Sequence, residues 1–284
     1  VGHFRLEQLL GEGAFGAVFG FWLKDRHRTE AVFAKANGQP VSPQAARAYL
    51  RGMLNKAGIE KKVEGDLRTP LGVYFIVSNI SPKTLKDYYG SGALPINYPN
   101  PLDQRRGKTG SGIWLHGTPP SQFARAPRAS DGCVVLANPD LDYLLNTVRV
   151  RDTPVVIAHS LNWVAPQSTR AEASQFEAIL QGWRSAKSSG DLARTMSFYA
   201  PDFRNDSRDV SAWASVVQKD MQKAPGREIL LKDLSVLRWH ESSGDTMVVT
   251  FDEVTDGNGK PQRKRQYWSR EGSRWKIFYE GNIG

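Results

Sequence analysis

The chain has 284 residues, a net charge of +9 at pH 7 and an apolar fraction of 40%. This length predicts about two domains, and the composition excludes a chain that is disordered throughout. No apolar run reaches the roughly 20 residues that a membrane-spanning helix needs, and the single cysteine excludes an intrachain disulfide. The positive charge favours an anionic partner such as nucleic acid, anionic lipid or an acidic polymer.

Residues 1–53 carry no pattern that assigns them to a domain. Residues 11–18 fit the glycine-rich loop of protein kinases, but the other kinase motifs are absent, so we interpret the stretch as a glycine-rich turn. Residues 45–54 predict a short amphipathic helix. The first residues also lack the basic and apolar segments that are typical of a signal peptide.

Residues 54–160 predict one β-rich domain. Runs of apolar and β-branched residues predict strands at 73–77, 113–116, 134–136 and 154–158. A short helix is predicted at 140–147, with its cap near Asn138 or Asp140. Residues 79–112 are rich in Gly, Pro, Asn and Ser with tyrosines between them, which predicts a long ordered loop that lies over a site.

Two segments of this block place a thiol and an imidazole beside glycines at the ends of apolar runs. His116 precedes Gly117, and Cys133 follows Gly132. A thiolate is a nucleophile, and a neighbouring imidazole favours its formation and can act as a general base. On the residues alone, the alternative is a buried and inert cysteine.

Three pieces of the block resemble the L,D-transpeptidase catalytic domain of bacterial cell-wall enzymes. They are residues 65–74 (GDLRTPLGVY), 112–117 (GIWLHG) and 130–133 (SDGC). The family signature is a His-Gly at a strand end, followed by [Ser/Thr]-His-Gly-Cys, and the resemblance is closest to the subgroup that includes L,D-carboxypeptidases controlling cell shape. Asp131 stands where the second histidine of the signature usually lies, which leaves His116 as the only motif histidine.

The resemblance implies a cysteine enzyme that uses no metal or cofactor. It implies that the thiolate attacks the carbonyl of a diaminopimelate residue in a peptidoglycan stem peptide and expels D-Ala. The implied catalytic residues are Cys133 as nucleophile, His116 as base, and Gly117 and Gly132, with the Gly132 and Cys133 amides as an oxyanion hole. The implied substrate-binding residues are Ser130, Arg68, Tyr89 and Trp114. The implied partner is peptidoglycan rather than nucleic acid, and the implied location is the periplasm.

The remainder of the chain predicts a linker at residues 161–173 and a second domain at residues 174–284. A capping box at 174–177 predicts the start of a helix, and further helices are predicted at 192–199 and around 210–221. Four antiparallel strands are predicted at 228–239, 246–254, 263–270 and 273–280.

This order of helices and then a meander predicts the α+β class. It resembles the nuclear-transport-factor-like (NTF2-like) cone, in which helices pack on a curved antiparallel sheet; such a likeness implies a fold and no specific function. We expect Trp239, Trp268 and Trp275 to pack in its core, with stacking on sugars as the alternative.

The leading hypothesis for the whole chain is a multidomain enzyme of cell-wall remodelling and cell shape. An L,D-transpeptidase, an L,D-carboxypeptidase and an amidase that releases wall-anchored lipoprotein all remain open, because no motif decides whether water or an amine receives the acyl group. The alternative from a different class is a catalytically degenerate peptidoglycan-binding protein on the same scaffold. The missing motif histidine and the unassigned residues 1–53 favour that alternative.

Overall fold

The computed structural model describes residues 19–24, 28–29, 60–122, 130–158, 166–223, 225–256 and 260–283. Residues 15–163 and 164–284 belong to two different compact units. The glycine-rich stretch at 11–18 and the helix expected at 45–54 lie outside the described residues. Within the described part of the chain, no helix combines the length and apolar character that a membrane crossing requires.

The described residues of the first unit form short strands and two short helices. Its strands are β1 (Phe19–Lys24), β2 (Arg28–Thr29), β3 (Gly72–Phe75), β4 (Ala93–Pro95), β5 (Trp114–His116), β6 (Val134–Val135) and β7 (Pro154–Ala158). Its helices are α1 (Pro101–Arg105) and α2 (Asn138–Thr147), and 3₁₀ turns lie at Pro82–Thr84 and Asp87–Tyr89. The four strands predicted in this block are confirmed, each within two residues of its expected ends.

These strands form two sheets that meet at one bridge. The larger sheet has the order β2-β1-β7-β3, with β1 parallel and β3 antiparallel to β7. The smaller sheet has the order β4-β5-β6, with β4 antiparallel and β6 parallel to β5. A bridge between Ile76 and Ile96 joins them, and both residues are buried. Strand β1 comes from the segment that the sequence left unassigned.

The region between β3 and β5 is more regular than the sequence suggested. It contains both 3₁₀ turns, strand β4 and helix α1. Asn100 and Asp103 form a capping box at the start of α1, and Pro101 occupies its first turn. These elements are only three to five residues long, so they are too short to produce a periodic signal among so many Gly and Pro residues.

Helix α2 confirms the helix expected near residue 140, but its cap differs. The N-cap is Ala137, which makes no side-chain capping bond, and Asn138 is the first helical residue. The expectation of a cap at Asn138 or Asp140 is therefore wrong. The Asn138 amide is bonded to the loops beside β5 instead, which a local sequence pattern does not reveal.

The second unit combines three helices with a long meander. Its helices are α3 (Pro166–Ser188), α4 (Leu192–Met196) and α5 (Val210–Lys223). Its strands are β8 (Arg204–Asn205), β9 (Arg208–Asp209), β10 (Ile229–Glu241), β11 (Gly244–Thr255), β12 (Gln262–Glu271) and β13 (Arg274–Asn282). The last four pair antiparallel in chain order, as predicted. Register shifts within β10 and between β12 and β13 bend this sheet.

Helix α3 begins earlier than the sequence suggested. It starts at Pro166, so residues 166–173, expected in a linker, are helical, and Ser174 lies inside the helix rather than at its cap. Proline is favourable in the first turn of a helix, which is why this proline starts α3 instead of marking a loop.

The apolar face of α3 packs on the sheet. Phe176, Leu180 and Trp183 join one core cluster that includes Trp268. Trp268 is fully buried, and Trp275 contacts Phe176 edge-to-face with ring centroids 5.4 Å apart. Core packing therefore accounts for these two tryptophans.

Candidate active site

The parallel pairing of β5 and β6 brings the expected base and nucleophile to one face of the small sheet. Leu115 pairs with Val134, and His116 pairs with Val135. Side chains alternate between the two faces of a strand, so Leu115 and Val134 share one face. His116 and Val135 share the other face, and the same alternation, continued by one residue before β6, predicts that Cys133 lies on that face too.

Cys133 sits on a loop whose backbone is held by two hydroxyl groups. The Ser130 hydroxyl donates to the Cys133 carbonyl at 2.7 Å, and the Thr69 hydroxyl donates to the Gly132 carbonyl at 2.9 Å. The thiol is only partly buried and donates to the Gly112 carbonyl at 3.4 Å. Cys133 is therefore an accessible thiol on an anchored loop, and the interpretation as an inert core cysteine does not fit it.

Ser130 was expected to contact substrate, but the structure places its side chain inside the protein. It is 1% exposed, and its hydroxyl is bonded to the Cys133 carbonyl. A buried hydroxyl that already donates a hydrogen bond to the loop backbone stabilises the conformation of that loop. Ser130 therefore supports the nucleophile loop, and its contact with substrate stays a prediction.

Gly132 packs directly against the turn that carries Arg68. Its φ is +116°, and a Cβ there would lie 2.8 Å from the Arg68 carbonyl oxygen and 3.1 Å from Ile113 Cδ1. Only glycine fits both this backbone conformation and this contact. The Arg68 backbone therefore lies beside the nucleophile loop, and its side chain is exposed.

The turn that precedes and includes Arg68 (residues 61–68) is held by the Asp66 carboxylate. It accepts hydrogen bonds from the Lys61 ammonium group at 2.8 Å and from the backbone amides of Lys62, Val63 and Arg68. Burial alone would raise the pKa of Asp66, but these donors together hold its pKa well below the usual range. The carboxylate thus remains charged and orders the turn.

His116 is buried and its ring orientation is set by the next residue. The ring is 1% exposed, and Nδ1 lies 2.8 Å from the Gly117 carbonyl oxygen. A carbonyl can only accept, so Nδ1 carries the proton in the neutral ring and Nε2 has the lone pair. This tautomer is the one that lets Nε2 act as a base.

Aromatic rings surround the imidazole. The Tyr89 ring meets His116 edge-on with centroids 5.1 Å apart and lies 5.3 Å from Trp114. Tyr88 lies 6.0 Å from the imidazole and is 46% exposed. The predicted substrate-binding residues Tyr89 and Trp114 thus come together next to the base, and Tyr88, which the sequence also suggested as a substrate contact, adds an exposed ring there.

Asn138 is a further residue near the site that sequence reasoning assigned only to a helix cap. Its Oδ1 accepts from the amides of Ser91 at 3.2 Å and Thr118 at 3.1 Å, and its Nδ2 donates to the Thr118 carbonyl at 2.9 Å. The signal that could have revealed it is a pair of glycines, Gly90 and Gly117, at which a Cβ would lie 2.1 Å from Asn138 Oδ1. Among the described residues, no group of three or more His, Cys, Asp or Glu side chains converges as a metal site.

Comparison with known proteins agrees with the two-domain fold. A family model of the YkuD L,D-transpeptidase catalytic domain matches residues 24–157, and a model of the Cds6 C-terminal NTF2-like domain matches residues 175–281. A search of curated protein sequences returned no match.

Two solved structures are similar over most of the chain. Bd1075 from Bdellovibrio bacteriovorus is 28% identical with a TM-score of 0.63, and the match covers 77% of this chain and 81% of that one. The helical cell shape determining protein Pgp2 from Campylobacter jejuni is 26% identical with a TM-score of 0.60, and the match covers 81% of this chain and 80% of Pgp2. The chain therefore contains an L,D-transpeptidase catalytic domain of the YkuD family followed by a C-terminal NTF2-like domain.

Proposed function

We propose that this protein is a cysteine acyl-transfer enzyme of the periplasm that cleaves the diaminopimelate–D-Ala bond of peptidoglycan stem peptides. The observation that carries the proposal is the parallel pairing of β5 and β6, whose alternation predicts Cys133 and His116 on one face, together with the contact of His116 Nδ1 with the Gly117 carbonyl. An accessible thiol and an oriented base are the two groups that nucleophilic acyl transfer requires.

The reaction follows from these positions. Nε2 of His116 takes the thiol proton, and Sγ of Cys133 attacks the diaminopimelate carbonyl carbon. The amides of Gly132 and Cys133 stabilise the oxyanion that forms. The C–N bond to D-Ala then breaks, the imidazolium returns its proton to the leaving amine, and a thioester remains. Water or an amine attacks the thioester and regenerates the thiol.

The surroundings of the thiol suit an anionic peptide. The Arg68 backbone lies beside the nucleophile loop and its side chain is exposed, so its guanidinium group is available to pair with the terminal carboxylate of the stem peptide. Tyr89 and Trp114 supply an aromatic wall next to the base. The net charge of +9 matches a polymer that bears carboxylates.

A role in cell shape is supported by the description of the similar protein Pgp2 as a helical cell shape determining protein. The second candidate function is a catalytically degenerate peptidoglycan-binding protein, and Asp131 at the position of a motif histidine favours it. The geometry supports the enzyme better, because the Nδ1–H tautomer leaves His116 able to serve as the base without a second histidine.

The deciding experiment is incubation of the purified protein with muropeptides that contain tetrapeptide stems, followed by chromatography. Gain of tripeptide indicates a carboxypeptidase, and cross-linked dimers indicate a transpeptidase. In a separate incubation with sacculi that carry wall-anchored lipoprotein, release of that lipoprotein indicates the amidase. In parallel, a carbapenem should acylate Cys133 and add its mass to the intact protein. The variant Cys133→Ala is the control and should show neither product nor adduct.

The absence of both product and adduct with the unmodified protein would support the degenerate binding protein. Full turnover by Cys133→Ala would overturn the mechanism. The variant His116→Ala should be nearly as inactive as Cys133→Ala, because the thiol then has no base.

A further inference from the structure

We propose that Asn138, the first residue of α2, is a positioning residue that sets the orientation of His116. The inference rests on the proposed function, in which His116 is the base, and adds a residue that neither the sequence motifs nor the family match assigns. Asn138 does not touch the reacting atoms. It acts through the two loops that hold the imidazole from either side.

The first loop follows β5. Oδ1 of Asn138 accepts the Thr118 amide proton, and Nδ2 donates to the Thr118 carbonyl. Both backbone groups of Thr118 are therefore bonded to one side-chain amide. Gly117 lies between Thr118 and His116, and its carbonyl is the acceptor for Nδ1. Fixing Thr118 thus fixes the direction of the carbonyl that selects the imidazole tautomer.

The second loop carries the tyrosines. Oδ1 of Asn138 also accepts the Ser91 amide proton at 3.2 Å, and the Gly117 amide donates to the Tyr89 carbonyl at 2.9 Å. These bonds tie residues 89–91 to residues 117–118. The Tyr89 ring then lies against His116 with centroids 5.1 Å apart. One amide therefore fixes both the hydrogen-bond partner of the imidazole and the ring packed against it.

Gly90 and Gly117 show that the Asn138 side-chain amide packs tightly between these two loops. A Cβ at Gly90 or at Gly117 would lie 2.1 Å from Asn138 Oδ1, which no real contact allows. At Gly90, such a Cβ would also lie 2.5 Å from the Thr118 carbonyl oxygen. The loops approach so closely only because neither residue has a side chain, and the space between them is filled by the Asn138 amide.

The variants Asn138→Ala and Asn138→Asp test this role. Alanine removes all three hydrogen bonds. Aspartate keeps the shape and the acceptor, but it replaces the Nδ2 donor with an oxygen that faces the Thr118 carbonyl. A negative charge is favourable in the first turn of a helix, so Asn138→Asp should not unfold α2. Asn146→Asp is the matched control, because it makes the same change in the same helix at an exposed position.

Two readouts are needed. The first is the ¹⁵N spectrum of the histidine side chains, with His116 assigned by its loss in His116→Gln, which reports the ring nitrogen that carries the proton. The second is the rate at which a carbapenem acylates Cys133, followed by intact mass. We expect both Asn138 variants to lose the uniform Nδ1–H form and to acylate about 10- to 100-fold more slowly, since misplacement by about 1 Å can cost that much. Asn146→Asp should match the unmodified protein in both.

The outcomes separate this inference from the proposed function. If the unmodified protein is acylated and folded Asn138→Asp keeps both its tautomer and its rate, the positioning role is overturned and the function stands. If the unmodified protein is not acylated but the tautomer changes in the Asn138 variants, the positioning role stands and the function fails. Should Asn138→Ala not fold, Asn138→Asp alone decides.

Discussion

Single residues at the candidate site are selected by backbone geometry as much as by chemistry. Gly132 has a φ of +116°, and a Cβ added there would lie 2.8 Å from the Arg68 carbonyl oxygen. Ser130 donates to the Cys133 carbonyl, and Thr69 donates to the Gly132 carbonyl. The position of the thiol therefore depends on neighbours that do no chemistry themselves.

The variant Gly132→Ala should lose at least about tenfold in the rate of Cys133 acylation by a carbapenem, because the clash with the Arg68 carbonyl displaces the nucleophile loop. The control is Gly107→Ala, where φ is also positive at +68° but no atom lies within 4 Å of the new Cβ. That control should lose about 1 kcal/mol of stability and keep its acylation rate. Equal rates in the two variants would show that the close contact at Gly132 does not hold the loop.

At the scale of elements, hydrogen-bonded turns and ionic clusters hold the strands in place. The Asp66 turn leads into β3 and presses the Arg68 backbone against Gly132. In the second unit, one ionic cluster joins helices α3 and α5 to strands β11 and β12. Lys187 is 2.6 Å from Glu253 and 2.9 Å from Asp220, and Lys264 is 2.8 Å from Glu253.

The Asp66 turn makes the first unit sensitive to acid. The folded pKa of Asp66 lies below its unfolded value, so its stabilisation is complete above about pH 4 and is lost as the pH falls through the folded value. Asp66→Asn should lower the free energy of unfolding by about 1–2 kcal/mol at neutral pH and flatten its acid dependence. Urea unfolding at neutral and acidic pH tests this, with exposed Asp142→Asn as the control. An unchanged acid dependence in Asp66→Asn would contradict it.

The ionic cluster predicts that replacing the buried Lys187 strongly lowers the free energy of unfolding. Burial alone would lower the pKa of Lys187, but Glu253, Glu280 and Asp220 raise it above its usual value, so the ammonium stays charged. Lys187→Met should destabilise the protein by about 3–5 kcal/mol, because Glu253 is left buried with less positive charge around it. Adding Glu253→Gln should restore part of this loss, and denaturant unfolding of both variants measures it. If the effects of the two substitutions on the free energy of unfolding simply add, Lys187 and Glu253 are not coupled.

The stabilisation that this ionic cluster provides also depends on pH, through Asp220. Burial would raise the pKa of Asp220, but Lys187 and Lys264 lower it to about 2. Its contribution to stability is therefore present above about pH 4 and is lost between about pH 4 and pH 2.

At the scale of the whole molecule, two units with separate cores share one chain of net charge +9. The charge favours an acidic polymer as partner, and the proposed substrate is such a polymer.

The charge predicts that binding to purified peptidoglycan weakens with salt. Co-sedimentation with sacculi should fall markedly from low to high sodium chloride, because added ions screen attraction between exposed charges. Cys133→Ala should bind as well as the unmodified protein, since it removes no charge and leaves the net charge unchanged. Binding that is insensitive to salt would show that the overall charge does not drive association.

The sequence alone determined the features that depend on local pattern. Strands β3, β5, β6 and β7 and the four-stranded meander follow from runs of apolar and β-branched residues, and the two-domain class follows from their order. The resemblance of the residues around His116 and Cys133 to a known motif identified the family, which the family models confirm. These signals lie within stretches of a few residues, so they need no knowledge of distant contacts.

Only the tertiary structure decided how these pieces meet. The bonds from Asn138 to Thr118 and Ser91 span 20 and 47 residues of sequence, and the bond from Thr69 to Gly132 spans 63. The burial of Ser130 and the tautomer of His116 likewise depend on which groups the fold places opposite them. Periodicity reports which side of an element is apolar, whereas hydrogen bonds between distant loops depend on the closed fold, and those bonds orient the thiol loop and the imidazole.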